Sequence, residues 1–328
     1  MNGKLIVAGA LAALAIAPMP ARAQCSGQAA DACQKATDLV NFVSPQLAGA
    51  LAGGNHTLGQ GGALGGLGHW ALDVRASVVN GAFPKLDGVG FTTTGTPSHG
   101  TFNAKTQMIP GLVADAAIGL WSGYSLGVTH VGAVDALVSA TYLPTLDGGD
   151  VSLKTSDGNM KFGYGIRVGL LEESVITPGV AVSYLTRSLP TFSLTGTVQP
   201  SGSNPGGSLQ LNNFSLKANG WRLTAGKDLL IFNLNAGIGQ DTYKSDATVV
   251  ATVSGNGINT TSTTTNSISM TRTNMFVGLS LNLFIAKFAA EAGQTSGGSL
   301  PTLTNSFGGS TDAAKARSYF SAGLRFGF

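Results

Sequence analysis

Eight ionisable residues fall where apolar and polar side chains alternate: Asp73, Arg75, Asp115, Asp135, Arg167, Arg222, Glu291 and Arg325. Each occupies the polar parity of its segment, so all eight belong to one side of a sheet with a two-residue period. Asp73, Asp115 and Asp135 lie on consecutive segments, and Glu291 is expected beside Arg325 across a strand pair. Opposed charges on such a surface can form a constriction that orients polar solutes. They can equally pair with one another in a filled interior, as a narrow barrel would favour.

Other candidate chemistry is sparser. Nucleophilic catalysis needs a histidine beside a serine or carboxylate. Of His56, His69, His99 and His130, the second and fourth fall near one rim, and His99, in a long connector, has no partner at a readable spacing. With no triad and no metal constellation, the chain is expected not to be an enzyme and to hold neither cofactor nor metal. Asp147, Asp150 and Asp157 lack the alternating oxygen ligands of a calcium loop and read as turn residues. Gly59 to Leu64 has the glycines of a dinucleotide loop without a preceding strand, so a flexible linker is expected. The run Thr260 to Thr265 is expected to be a solvated loop tip.

Elements that would position the charges are legible as ten alternating segments. They are His69–Val79, Gly111–Trp121, Thr129–Leu143, Met160–Leu170, Val175–Arg187, Lys217–Gly226, Leu229–Gly239, the stretch around Met275, Phe288–Gln294 and the C-terminal Phe320–Phe328. Several reach the nine to eleven residues of a tilted membrane strand. Between them, long polar connectors (80–109, 144–159, 188–216, 240–271, 295–313) alternate strictly with short ones (122–128, 172–174, 227–228, 286–287). Such asymmetry belongs to a membrane barrel with long loops on one side and tight turns on the other. Trp70, Trp121, Tyr124, Phe326 and Phe328 would form one aromatic belt, and Phe83, Tyr142, Phe162 and Tyr184 the other. If 91–105 or 247–253 add strands, the ring grows to 12–14 and a pore becomes credible.

The remaining segments fit export. Leu5 to Ala17 is apolar but too short to span a bilayer, and Ala21-Arg22-Ala23 supplies a cleavage site, so residues 1–23 read as a signal peptide. Without Lys4 and Arg22 the chain keeps 17 basic and 16 acidic residues, a balance that gives no argument for nucleic acid. Charged residues make up 11%, under half the roughly 25% of soluble domains. Residues 24–68 read as a helical and glycine-rich segment that either plugs the lumen or lies at its mouth, ahead of a barrel over 69–328. Ala36, Leu39, Val40 and Val43 have helical spacing, and Ser44-Pro45 reads as the start of a second short helix ending at Gly53-Gly54. Cys25 and Cys33 are a disulfide candidate. On one continuous helix they would stand about 12 Å apart, so a bond requires a bend.

Ser321-x-Gly323-x-x-Phe326-x-Phe328 resembles the C-terminal assembly signal of Gram-negative outer-membrane proteins. The resemblance implies recognition by the barrel-assembly machinery and residence in outer-membrane lipid. Residues 44–70 also look like the corresponding region of little-characterised outer-membrane proteins, which implies the barrel class and no activity. The expected fold is an all-β transmembrane antiparallel barrel of about ten strands with a short helical N-terminal segment. The expected function is a narrow porin-like channel for small solutes; the alternative is a closed barrel that displays its long loops.

Overall fold

Each alternating segment forms a strand, and the ten strands close on themselves. The computed structural model describes residues 25–84, 90–98, 100–101, 104–148, 151–198, 205–255, 257–283, 285–299, 305–306, 312 and 314–327. The signal peptide, His99, Asp150 and Phe328 lie outside these residues, as does the side chain of Phe83. The ring strands are β1 (Trp70–Pro84), β2 (Ala104–Trp121), β3 (Ala133–Tyr142), β4 (Met160–Leu171) and β5 (Gly179–Ser188). They continue as β6 (Gly206–Leu229), β7 (Phe232–Gly255), β8 (Ile258–Leu283), β9 (Ala286–Ser296) and β10 (Arg317–Gly327). Each pairs antiparallel with the next, and β10 returns to β1 with Gly327 opposite Ala71. The ring therefore has no free edge at membrane level, as a membrane-spanning sheet requires.

The outward face marks where the hydrocarbon lies. On β8, Thr261, Thr263, Thr265, Ser267, Ser269, Thr271 and Thr273 point outward, followed by Met275, Val277, Leu279, Leu281 and Leu283. β7 makes the same change between Gln240 and Ile238. The apolar stretch from Met275 to Leu283 is about 26 Å along the strand, the span of a barrel's lipid-facing band. Tyr184, Trp221, Tyr164 and Phe162 stand exposed towards one margin, and Trp70, Trp121, Tyr124, Phe288 and Phe326 towards the other. Trp221 thus joins the belt expected from sequence.

The connectors differ from expectation. β7 and β8 run on well past the band, paired from Phe232↔Leu281 to Gly255↔Ile258, so 240–271 is a hairpin stem and Thr260–Thr265 is strand. Among the described residues, 91–105 and 247–253 add no further strand to the ring: 247–253 lies within β7, and Ala104 and Lys105 open β2. Connector 188–216 contributes the distal half of β6 and the strand Phe192–Val198, which pairs with Val151–Thr155. Of the short connectors expected at 227–228 and 286–287, the first falls three residues later, at Leu230–Ile231, and Ala286 and Lys287 already belong to β9. We call the end with these tight connections the turn end and the opposite one the loop end.

Inside the ring lies α1 (Ala30–Ala52), a single helix where two were expected. Pro45 lacks the N–H that would continue the ladder. Beside it the Ser44 hydroxyl donates to Val40 O at 2.7 Å and Gln46 Nε2 donates to Phe42 O at 3.0 Å. Nineteen of its 23 residues are buried, so the wall surrounds the helix on nearly every side. Phe214, Leu216, Ala218, Tyr243, Ala247 and Val249 of the stem pack on Ala36, Val40, Ala48 and Leu51. Cys25 precedes the helix and is bonded to Cys33 with Cα atoms 5.7 Å apart, the bend being the turn before Ala30.

Candidate functional site

All eight lumen residues expected from parity are buried inside the ring. Six of them bond the backbone of the last residue of α1, Ala52, or of the irregular coil 53–64 that follows it, whereas Arg167 meets the Thr57 side chain and Asp115 pairs with arginines. Arg222 donates through Nη2 to Ala52 O at 2.7 Å and through Nε to Gly54 O at 2.8 Å. Arg75 donates to Asn55 O at 2.7 Å, and Arg325 to Gly59 O at 3.2 Å. Arg167 Nη1 reaches Thr57 Oγ1 at 3.4 Å. The acids take the complementary groups: Glu291 accepts from Asn55 N at 3.1 Å, Asp73 from Leu58 N at 3.2 Å and Asp135 from Leu64 N at 3.1 Å.

The arrangement answers a specific cost. An unpaired peptide group buried away from water is expensive, and irregular backbone at membrane depth persists only inside protein that satisfies it. Here wall arginines supply donors to carbonyls and wall carboxylates supply acceptors to amides. The charges also pair among themselves: Arg167 Nε with Asp135 at 2.7 Å, Arg222 with Asp241 at 2.8 Å, and Arg75 and Arg187 with Asp115 at 3.3 and 2.8 Å. Glu291 stands opposite Ser321, and Arg325 opposite Lys287 and Asp73, which corrects the expected Glu291–Arg325 neighbourhood.

Two members of this set were not singled out from sequence. Arg187, which also donates to His56 O at 3.2 Å, ends an alternating segment; it shares parity with Ser183, and that parity was the available signal. Asp241 fell in a supposed connector, although it keeps the parity of Asn233 and Asn235. His56 Nδ1 lies 2.9 Å from Ser183 Oγ, both buried, as one more contact between filling and wall.

Glycine lets the filling approach the wall. A Cβ on Gly61 would come within 2.1 Å of Gly226 N, and one on Gly119 within 2.1 Å of Gly66 O. The stretch Gly59–Gly66 is therefore packed closely against the wall rather than being the loose linker expected, and Leu67 and Gly68 are exposed. Beneath it, at the turn end, a cavity of about 280 Å³ opens between Gly59–Leu64, Trp70, Asp228, Lys287 and Arg325.

Elsewhere, His69 and His130 sit at the turn end, His130 beside Glu172. Asp157 is engaged by Lys161 and by Thr191, and Lys161 together with the Thr191 amide holds its carboxyl below the usual carboxylate range. Among the described residues no three His, Cys, Asp or Glu side chains converge as a metal-binding group. Ser321, Gly323 and Phe326 lie on β10: Ser321 meets Ser77 Oγ at 2.8 Å inside the ring, and Phe326 is on the outward face.

No protein-family model matches the chain, and no curated protein does. Solved structures do show likeness. The outer-membrane protease OmpT of Escherichia coli shares 10% identity over 80% of this chain and 97% of its own, with a TM-score of 0.31. The anion-selective porin from Comamonas acidovorans shares 10% over 79% and 98%, with a TM-score of 0.19. The outer-membrane channel DcaP of Acinetobacter baumannii shares 9% over 79% and 96%, with a TM-score of 0.18. The first of these corrects the expectation that the chain is not an enzyme, since a barrel named as a protease stands among the similar folds. Scores this low transfer no activity, and the barrel assignment rests on the closed ring and its outward band.

Proposed function

We propose that the protein is an outer-membrane barrel closed at rest, whose role is to hold a rigid stem on the cell surface. The stem consists of the distal halves of β6, β7 and β8 wrapped around α1. The observation that carries this reading is the bonding of backbone 52–64 to the charged wall, because it leaves the lumen occupied and its charges engaged. Tight connections at one end and long ones at the other favour the stem lying outside and the turns in the periplasm. Outer-membrane lipid would then cover the apolar band, and the barrel-assembly machinery would read β10.

A second reading, a narrow porin-like channel for small solutes, is favoured by one specific feature. If 53–66 were withdrawn, the exposed wall would carry Asp73, Arg75, Asp115, Asp135, Arg167, Arg222 and Arg325, a polar lining suited to ions. Planar-bilayer recording on the folded, full mature chain separates the two. Silent bilayers are expected. Regular conductance steps from protein that also shows the heat-shifted mobility of a folded barrel would sink the closed reading in favour of the channel.

A further inference from the structure

The course of residues 25–68 has a direction. Ser26 N donates to Ser262 Oγ at 3.1 Å, near the far tip of β8. Lys35 and Asp31 engage Gly90, Thr92 and Ser98 at the loop end. Asn266 Nδ2 donates to Asn41 Oδ1 at 2.6 Å. Ala52 and Gly54 meet Arg222, which through the register stands level with Asn274. Asn55 meets Glu291, opposite Gly278; Gly59 meets Arg325, which the register links through Lys287 to Asn282. On the scale of β8 the contacts fall at 262, 266, 274, 278 and 282, in chain order. Gly66 then touches Ser122 and Gly119 at the turn end, and β1 begins.

The polarity of α1 agrees with this course. Asp31, an acid in its first turn, sits at the loop end, and the last turn contains no basic residue of its own. Arg222 of the wall takes that place at the final carbonyls, where a cation is favoured by the helix dipole. A helix of 23 residues is about 34 Å long, which fills the stem; the coil that follows fills the membrane-level ring. The coil winds locally, with His56 meeting Ser183 and Gly61 meeting Thr224, while the two ends of the segment lie at opposite ends of the ring.

We propose that the barrel carries its own N-terminal segment through the membrane and presents the N-terminus, from Cys25 onward, on the cell surface. The lumen is the passage for that segment, and a polypeptide joined ahead of Cys25 would be displayed outside the cell. The side assigned to the N-terminus rests on the orientation adopted under Proposed function.

Three single-tag versions of the full chain, produced in Gram-negative cells, test it: a short epitope just before Cys25, one between Gly255 and Gly257, and one between Ser174 and Thr177. Antibody labelling of intact cells is expected for the first two, with the third labelled only after permeabilisation. Tip labelling on intact cells, with the N-terminal tag reached only after permeabilisation, overturns the inference and leaves the orientation standing. Turn labelling without tip labelling overturns the orientation and the inference with it. The untagged protein gives an independent readout, since Cys25 and Cys33 are the chain's two cysteines. After mild reduction, a 5-kDa maleimide is expected to modify intact cells; modification only after permeabilisation overturns the inference.

Discussion

Arg222 joins three buried acceptors, Ala52 O, Gly54 O and the Asp241 carboxylate, of which the last has Arg222 as its cationic partner. Arg222→Met leaves a buried acid without its partner, a change that costs about 3–5 kcal/mol. A lower melting temperature in detergent, followed by the β-sheet circular dichroism signal, is the expected outcome. Arg222→Met with Asp241→Asn should recover part of the loss, because the unpaired charge is gone. Equal melting of the single variant and the wild type would remove Arg222 from this role. Parity placed Arg222 and its seven companions inside the ring. It did not disclose what they bind, because the partner is peptide backbone and has no residue-type signature. That is also why a plug formed by residues 24–68 could be expected from the sequence without its link to these charges.

At the scale of elements, α1 is tied to the loop at 90–98 through Asp31. Its carboxylate takes Lys35 at 2.7 Å, the Thr92 amide at 2.8 Å, and both the amide and hydroxyl of Ser98 at 2.8 and 3.0 Å. Burial pushes the carboxyl up, but Lys35 and the two amides outweigh it and hold the group below its ordinary 3.8. A folded-state value below the unfolded one means this contact stabilises fully above the ordinary range. Its contribution is lost as pH falls below the ordinary value and on through the lower folded one. Protection of the Thr92 and Ser98 amides against hydrogen exchange should decline in that window, and Asp31→Asn should lower it at neutral pH. Protection that ignores both changes would show that the loop is held by other contacts. The joining of two expected helices into one has a related cause. Ser44-Pro45 has the local chemistry of a helix start, and burial on nearly every side, together with the Ser44 and Gln46 side-chain bonds, overrides it. The glycines of 59–66 misled in the same way: glycine marks both loose chain and very close packing, and only the facing Gly226, Gly179 and Gly119 separate the two.

For the molecule as a whole, the change from hydroxyl to apolar outward residues on β8 sets the depth of insertion. Val277→Arg near the middle of the band should cost about 2–4 kcal/mol, whereas Ser269→Arg on the same face of the same strand should be close to neutral. Urea titration of both variants refolded into phospholipid vesicles checks this; equal costs would refute the assigned depth. Ring number and strand direction were legible because apolar alternation is strongest where lipid touches the sheet. The stem was not, since its outward residues are mostly polar and its period of two survives mainly on the inner face, in Ser245, Ala247, Val249, Ala251 and Val253.

The seam between β1 and β10 carries a kinetic consequence. Gly327 must find Ala71 across nearly the whole barrel sequence, the longest-range pairing in the ring, and closure of such distant contacts is slow. Until that zipper shuts, the sheet is an open trough into which the N-terminal segment can settle sideways, so the finished chain need never be pushed end-on through a completed hole.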